Sequence, residues 1–282
     1  MLHGLFRFLL IVTASACGLS SPQLGQVVSP GVAEALFEHR AGGTDLVRTR
    51  VVFPSTDQGA PIGGALPAVI FIQGGLVPDA RYRWWAEEIA RAGYVVALPS
   101  HDFSLAIFSI DNGTSARALL ADPPNSLLTG LVDPKKIAVA GHSLGGVVAS
   151  KLALQGGFSA LLLQASLPEA SDVEPLSRLK HPSLSMAGEK DCSASLLSVT
   201  AGASKLASPT AFVVLQGVTH YQFTDSDAED VSRGCASGVD LQTAHQRIVD
   251  VSLAFLSAAL STQPSTGEAN LRAISGISVD AR

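Results

Sequence analysis

Ser143 stands in the run Gly141-His142-Ser143-Leu144-Gly145, within "KKIAVAGHSLGGVVASKLAL" from Lys135 to Leu154. A serine hydroxyl is a poor nucleophile at neutral pH unless a base takes its proton. It therefore needs a histidine, and that histidine usually needs a carboxylate to orient it. When such a serine sits on a strand-to-helix turn, both partners follow it in the chain, acid first. "SMAGEKDCSAS" places Asp191 just past one apolar run, and "VVLQGVTHYQFTD" places His220 just past the next. Residue types and order fit acyl transfer through Ser143, His220 and Asp191.

The glycines fit the same reading. A sharp turn brings residues two positions either side of the serine so close that side chains would collide. The tetrahedral intermediate also needs N–H donors aimed at its oxyanion. The backbone of Leu144, at the start of the following helix, supplies one. The loop after "FIQGG" supplies the other, assigned to Gly75, with Gly74 and Leu76 as alternatives and Gln73 as a support for the loop.

Each partner has rivals. Glu169 and Asp172 follow an earlier apolar run, and Glu189 is a near neighbour of Asp191. His142 adjoins Ser143, but its side chain should leave the turn in another direction. His101 precedes the serine, His181 precedes a strand and His245 falls on a helix. Asp225 reads as a residue that shapes the histidine turn. Trp84, Trp85 and Phe108 fit a core as well as a groove, whereas Phe103 and Tyr221 are the expected substrate contacts.

These groups need elements to hold them. "DLVRTRVVFPS" alternates with a period near two, as an early antiparallel strand does. "PAVIFIQGG" is a continuous apolar run, as expected of a strand buried on both faces. A helix follows with Tyr82, Trp85, Ile89 and Ala92 at three- and four-residue steps, closed by Gly93. "YVVALPS", "KIAVAG", "SALLLQA", "PSLSMAG" and "TAFVVLQG" read as further strands with helical segments between most of them. A last amphipathic helix carries Ile248, Ser252, Phe255, Leu256 and Ala259 on one side. Such alternation predicts an α/β fold, a mostly parallel central sheet flanked by helices on both faces. Strand carboxyl ends then carry the site. The short His101 to Asp133 connection leaves little room for a lid.

The beginning of the chain, "MLHGLFRFLLIVTASAC", has Arg7, an apolar stretch from Phe8 to Val12, and small residues before Cys17. It reads as a signal peptide over residues 1–16, too short for a membrane span. Cys17 is a candidate lipidation site, giving membrane attachment, with plain secretion as the alternative. Residues 17–30 read as a flexible tether, 31–262 as the domain and 263–282 as a loose tail. Export permits disulfides, so Cys192 and Cys235 are a candidate pair that would tie the acid and histidine loops; two free buried thiols are the other reading. A chain of 282 residues, 47% hydrophobic and 15% charged, suits one globular body, here expected as a monomer. Its net charge of -5 and scattered basic residues argue against a nucleic-acid partner.

"GHSLGG", "GEKD" and "THYQFTD" resemble the nucleophile, acid and histidine segments of the α/β-hydrolase superfamily. "PAVIFIQGGLVPDARYRWWAEEIARAGYVVALPSHD" is similar to the oxyanion strand, first helix and next strand of its compact, lidless members. Chlorophyllases, dienelactone hydrolases, platelet-activating-factor acetylhydrolases and bacterial polyester hydrolases are of that kind. The resemblance covers most of residues 50 to 260. It implies a Ser143, Asp191, His220 triad, a small-molecule carboxylic ester as substrate, and no metal or organic cofactor. Two departures argue against any special substrate: "QGG" replaces a His-Gly start, and Leu144 replaces the methionine or arginine of polyester hydrolases or chlorophyllases. Amide, peptide and thioester hydrolysis and acyl transfer also occur on this fold, as does non-catalytic binding.

Overall fold

Apolar runs in which every residue is buried form the middle of the sheet. The computed structural model describes residues 24–41, 45–100, 109–124 and 126–282. Strands β1 Gln26–Ser29, β2 Val32–Ala41 and β3 Asp45–Pro54 come first. Then β4 Leu66–Ile72, helix α1 Arg83–Arg91, β5 Val95–Pro99 and α2 Ser109–Ala121 follow. Next come β6 Val132–His142, α3 Leu144–Gln155, β7 Ala160–Gln164, the short α4 Val173–Leu176, β8 Ser183–Gly188, α5 Leu196–Ala203 and β9 Thr210–Leu215. The chain ends through α6 Ala228–Ser232, α7 Leu241–Ala259, α8 Glu268–Arg272 and β10 Ile277–Ala281.

The strands form one ten-stranded sheet in the order β1-β2-β3-β5-β4-β6-β7-β8-β9-β10. β5, β4, β6, β7, β8 and β9 pair in parallel, while the first three strands and β10 are antiparallel to their neighbours. Alternation along each central strand explains the continuous apolar runs. Val69 and Phe71 of β4, Ala138 and Ala140 of β6 and Leu162 of β7 join the core that holds Trp85 and Ile89 of α1 and Ile248, Phe255 and Leu256 of α7. Ile70, Ile72, Ile137, Val139, Leu161 and Leu163 belong to the other core, with Leu119 and Leu120 of α2 and Val148 and Leu152 of α3. Both faces are covered, as a parallel sheet requires.

Local signals place the helices. Gly93, with φ 97°, adopts the left-handed conformation just beyond α1. Asp240 caps α7 by accepting the Thr243 N–H at 2.7 Å. Trp85 of α1 donates its indole N–H to Ser252 Oγ of α7 at 3.1 Å, so its polar atom is satisfied inside the core.

Both expected loose segments turn out to be structured in part. Gln26–Ser29, placed within the tether, pairs with β2. The segment 263–282, expected as a flexible tail, instead forms α8 and β10. Leu271 of α8 is fully buried, and β10 pairs with β9 from Ile277 opposite Leu215 to Ala281 opposite Ala211. The physical reason is the edge of β9, whose unpaired N–H and C=O groups are satisfied by a strand too half-exposed to announce itself. The signal region, Cys17, His101, Phe103 and Phe108 lie outside the described residues.

Candidate active site

β6 ends at His142 and α3 begins at Leu144, so the whole reversal falls on Ser143. Its backbone has φ 53° and ψ -125°, a strained conformation for a residue with a Cβ. The turn is held on every side. The Ser143 N–H donates to the Gln164 carbonyl at 2.9 Å, and its carbonyl accepts from the Gly146 N–H at 2.9 Å and from Ser166 Oγ at 2.6 Å. A Cβ on Gly141 would overlap the backbone of Gly145, and one on Gly145 would overlap the Ile72 and Gln73 carbonyls at the end of β4. Glycine at both places is a matter of space.

Asp191 follows β8 and His220 follows β9, each in the loop beyond the carboxyl end of a parallel strand. Oδ1 of Asp191 accepts the N–H groups of Ser193 at 2.8 Å and Ala194 at 2.7 Å. The other oxygen, Oδ2, is left to accept from His220 Nδ1 at 2.8 Å. That bond puts the imidazole proton on Nδ1 and turns the lone pair of Nε2 towards Ser143 Oγ, 3.0 Å away. The side chains of Asp191 and His220 are buried, while Ser143 is partly open to solvent. A hydroxyl, a base and an orienting carboxylate thus stand in one hydrogen-bonded line.

The rivals are engaged elsewhere. Glu169 and Asp172 both pair with Lys151 of α3, at 2.9 and 2.8 Å. Glu189 accepts the Gly217 N–H at 2.9 Å. His181 lines a small apolar cavity with Phe158 and Leu176, and His245 of α7 stacks on Trp84 with ring centroids 3.5 Å apart. His142 is buried beside His220, ring centroids 4.6 Å apart. Burial, reinforced by His220, holds its pKa well below the ordinary imidazole value.

The loop after β4 carries the three residues expected as candidates for a second N–H donor, Gly74, Gly75 and Leu76. The Gly74 N–H is already spent on the hydroxyl of Tyr82, at 2.9 Å. Gly75 lies against the Leu144 side chain, close enough that a Cβ there would come within 2.5 Å of Leu144 Cδ1. The Leu144 N–H, at the first helical position, has no acceptor within its own helix. Leu76 is exposed and left-handed, φ 60°. Gln73 is buried with its Oε1 lacking a hydrogen-bond partner.

Three groups that sequence reasoning missed surround this line. Arg81, just before α1, reaches the loop beyond His220, bonding Asp225 at 2.6 Å, Thr224 Oγ1 at 2.8 Å, the Ser226 carbonyl at 2.7 Å, and Glu229. Asp225 therefore shapes the histidine loop as a partner of Arg81. Buried Asp230 accepts the Tyr221 N–H at 2.6 Å. Tyr82 joins Gly74 to His142, whose Nδ1 lies 2.9 Å from the phenol oxygen. Helical spacing marked Tyr82 only as an apolar-face residue, and no local pattern distinguishes Arg81 or Asp230.

Cys192 and Cys235 form a disulfide across a separation of 43 residues. The Cys235 N–H also donates to the Asp230 carbonyl at 2.9 Å, so the bridge links the loop of Asp191 to the residue that holds Tyr221. Tyr221 is half-buried, edge-on to His220 with centroids 5.4 Å apart. Trp85 is core, whereas Trp84 is half-buried against His245. Among the described residues, no group of three or more His, Cys, Asp or Glu side chains could hold a metal ion, and no helix is long and apolar enough to cross a membrane.

A strained serine at the carboxyl end of a central parallel strand, facing a carboxylate-bound histidine, is the arrangement of a hydrolase on an α/β sheet. The chain belongs to the alpha/beta hydrolase family, whose model matches residues 68–229, from within β4 through the serine turn, Asp191 and His220. A search of curated proteins finds no match to it.

Proposed function

We propose that the chain is an exported serine hydrolase that cleaves small carboxylic esters through an acyl-enzyme. The observation that carries the reading is the unbroken hydrogen-bonded line from Asp191 Oδ2 through His220 to Ser143 Oγ, with links of 2.8 and 3.0 Å. Ser143 attacks the ester carbonyl as His220 Nε2 takes its proton. The imidazolium so formed is stabilised by Asp191, which stays ionised. The carbonyl oxygen, now negative, is met by the N–H groups of Leu144 and Gly75. His220 then returns the proton to the leaving alcohol. A water molecule attacks the acyl-enzyme by the same route in reverse, with His220 again as base.

Phe103 and Tyr221 are the proposed substrate contacts. Export is supported by the N-terminal sequence and agrees with a disulfide, which persists in oxidising compartments. Cys17 is then the point of lipid attachment, with plain secretion of the mature protein as the alternative. The test is p-nitrophenol release from acetate and butyrate esters by the mature protein beside a folded Ser143→Ala variant. Loss of release in the variant supports the reading. Equal background rates in both proteins count against it and direct attention to amides, thioesters or a binding role.

A further inference from the structure

We propose that Tyr82 is a positioning residue of this site, its buried hydroxyl locking the oxyanion loop to the nucleophile turn. The inference rests on the serine-hydrolase reading above. Tyr82 is fully buried, and its oxygen is 2.9 Å from the Gly74 nitrogen and 2.9 Å from His142 Nδ1. Gly74 immediately precedes Gly75, the assigned oxyanion donor, and His142 immediately precedes Ser143. One hydroxyl thus spans the two segments whose relative placement decides whether an oxyanion formed at Ser143 meets its donors.

Proton counting fixes the directions. A backbone amide only donates, so the phenol oxygen accepts from Gly74. The phenol's own proton then has His142 Nδ1 as its partner, which makes Nδ1 an acceptor and puts the His142 proton on Nε2. Two environments keep this arrangement intact. Burial pushes the Tyr82 phenol up, so it remains a donor, and the lowered pKa of His142 keeps its ring neutral. His142 Nε2 is buried without a hydrogen-bond partner, its ring centroid 4.6 Å from that of His220. The ring is thus lodged beneath the histidine loop, stacked on Phe223 with centroids 5.5 Å apart.

The turn that carries Tyr82 is itself anchored on two further sides. Asp79 accepts from Arg50 of β3 at 3.2 Å, and Arg81 holds the loop that follows His220. The Tyr82 ring packs on Phe71 with centroids 4.9 Å apart, so the phenol is held by its ring as well as by its hydroxyl. A misplacement of about 1 Å at such a site costs on the order of a hundredfold in rate.

Tyr82→Phe keeps the ring packing and removes the connection. In the folded variant, kcat on p-nitrophenyl butyrate should fall on the order of tenfold to a hundredfold, with KM within about twofold, because the loss falls on the transition state. A wild-type kcat in that variant overturns the proposal. A wild-type protein without Ser143-dependent hydrolysis overturns the function reading instead. Nitrogen-15 NMR of the His142 ring in the unsubstituted protein tests the connection whatever the variant's folding or the enzyme's activity. A neutral ring with its proton on Nε2 and Nδ1 accepting supports the proposal; an Nδ1-protonated ring, or one that titrates like an exposed histidine, overturns it.

Discussion

Oδ2 of Asp191 accepts from Nδ1 of His220 across 2.8 Å, with the Asp191 side chain wholly shielded from water. The other carboxylate oxygen is fixed by the Ser193 and Ala194 amides, so the pair has one geometry and one tautomer. Asp191→Asn preserves the shape but presents an amide that favours the wrong tautomer. It should lower kcat on the order of ten-thousandfold while the protein stays folded. Steady-state kinetics on p-nitrophenyl butyrate checks this. An Asp191→Asn variant within tenfold of wild type would mean that the carboxylate plays no part in orienting the base.

Cys192 adjoins Asp191, and Cys235 reaches Tyr221 through Asp230, so the disulfide clasps the loops on both sides of the imidazole. Closing a separation of 43 residues restricts the unfolded chain by about 4 kcal/mol on the chain-entropy model. The double variant Cys192→Ser, Cys235→Ser should lose stability of about that size in urea unfolding and lose kcat more than KM. An unchanged midpoint would show that the bridge restrains nothing the fold does not already restrain.

Acid should weaken the fold through its buried histidines. Burial depresses His142 well below 6.5, and His245 is also lowered by burial, partly offset by the Thr224 carbonyl. Their folded values lie below the unfolded one, so the unfolded chain binds more protons as pH falls through the unfolded value. Stability is therefore full above about pH 6.5 and is lost below it, by up to about 1.4 kcal/mol per pH unit for His142 and by less for His245, which is partly open to solvent. Asp230, raised by burial, acts in the opposite sense at more acidic pH. Urea midpoints measured from about pH 8 to about pH 5 should hold steady and then fall. Midpoints that rise on acidification would contradict the assignment of His142 as a neutral buried ring.

The nucleophile segment was legible because its geometry leaves few choices: an apolar strand, glycines where backbones touch, and an apolar helix after them. Asp191 and His220 were legible because β8 and β9 are short buried strands rich in small and apolar residues, and the ends of those segments mark where the following loops begin. β2 was not. Glu34, Glu38, His39 and Arg40 break its apolar pattern, and it stands towards the edge of the sheet. β10 alternates between intermediate and exposed residues, so its strand character depends on the edge that β9 offers. Arg81, Tyr82 and Asp230 escaped for a different reason. Their partners lie 60 or more residues away for Tyr82 to His142 and Arg81 to Thr224, and for Asp230 the partner is an amide that any residue would present.

The most direct test of the central claim is covalent capture of the nucleophile. The mature protein, treated with a fluorophosphonate ester, should gain the mass of one phosphonyl group, and peptide mapping should place it on Ser143. Ser143→Ala should gain none while retaining its unfolding midpoint. A folded wild-type protein that takes up no phosphonyl group, or takes it up at another residue, would contradict the assignment of Ser143 as the activated nucleophile.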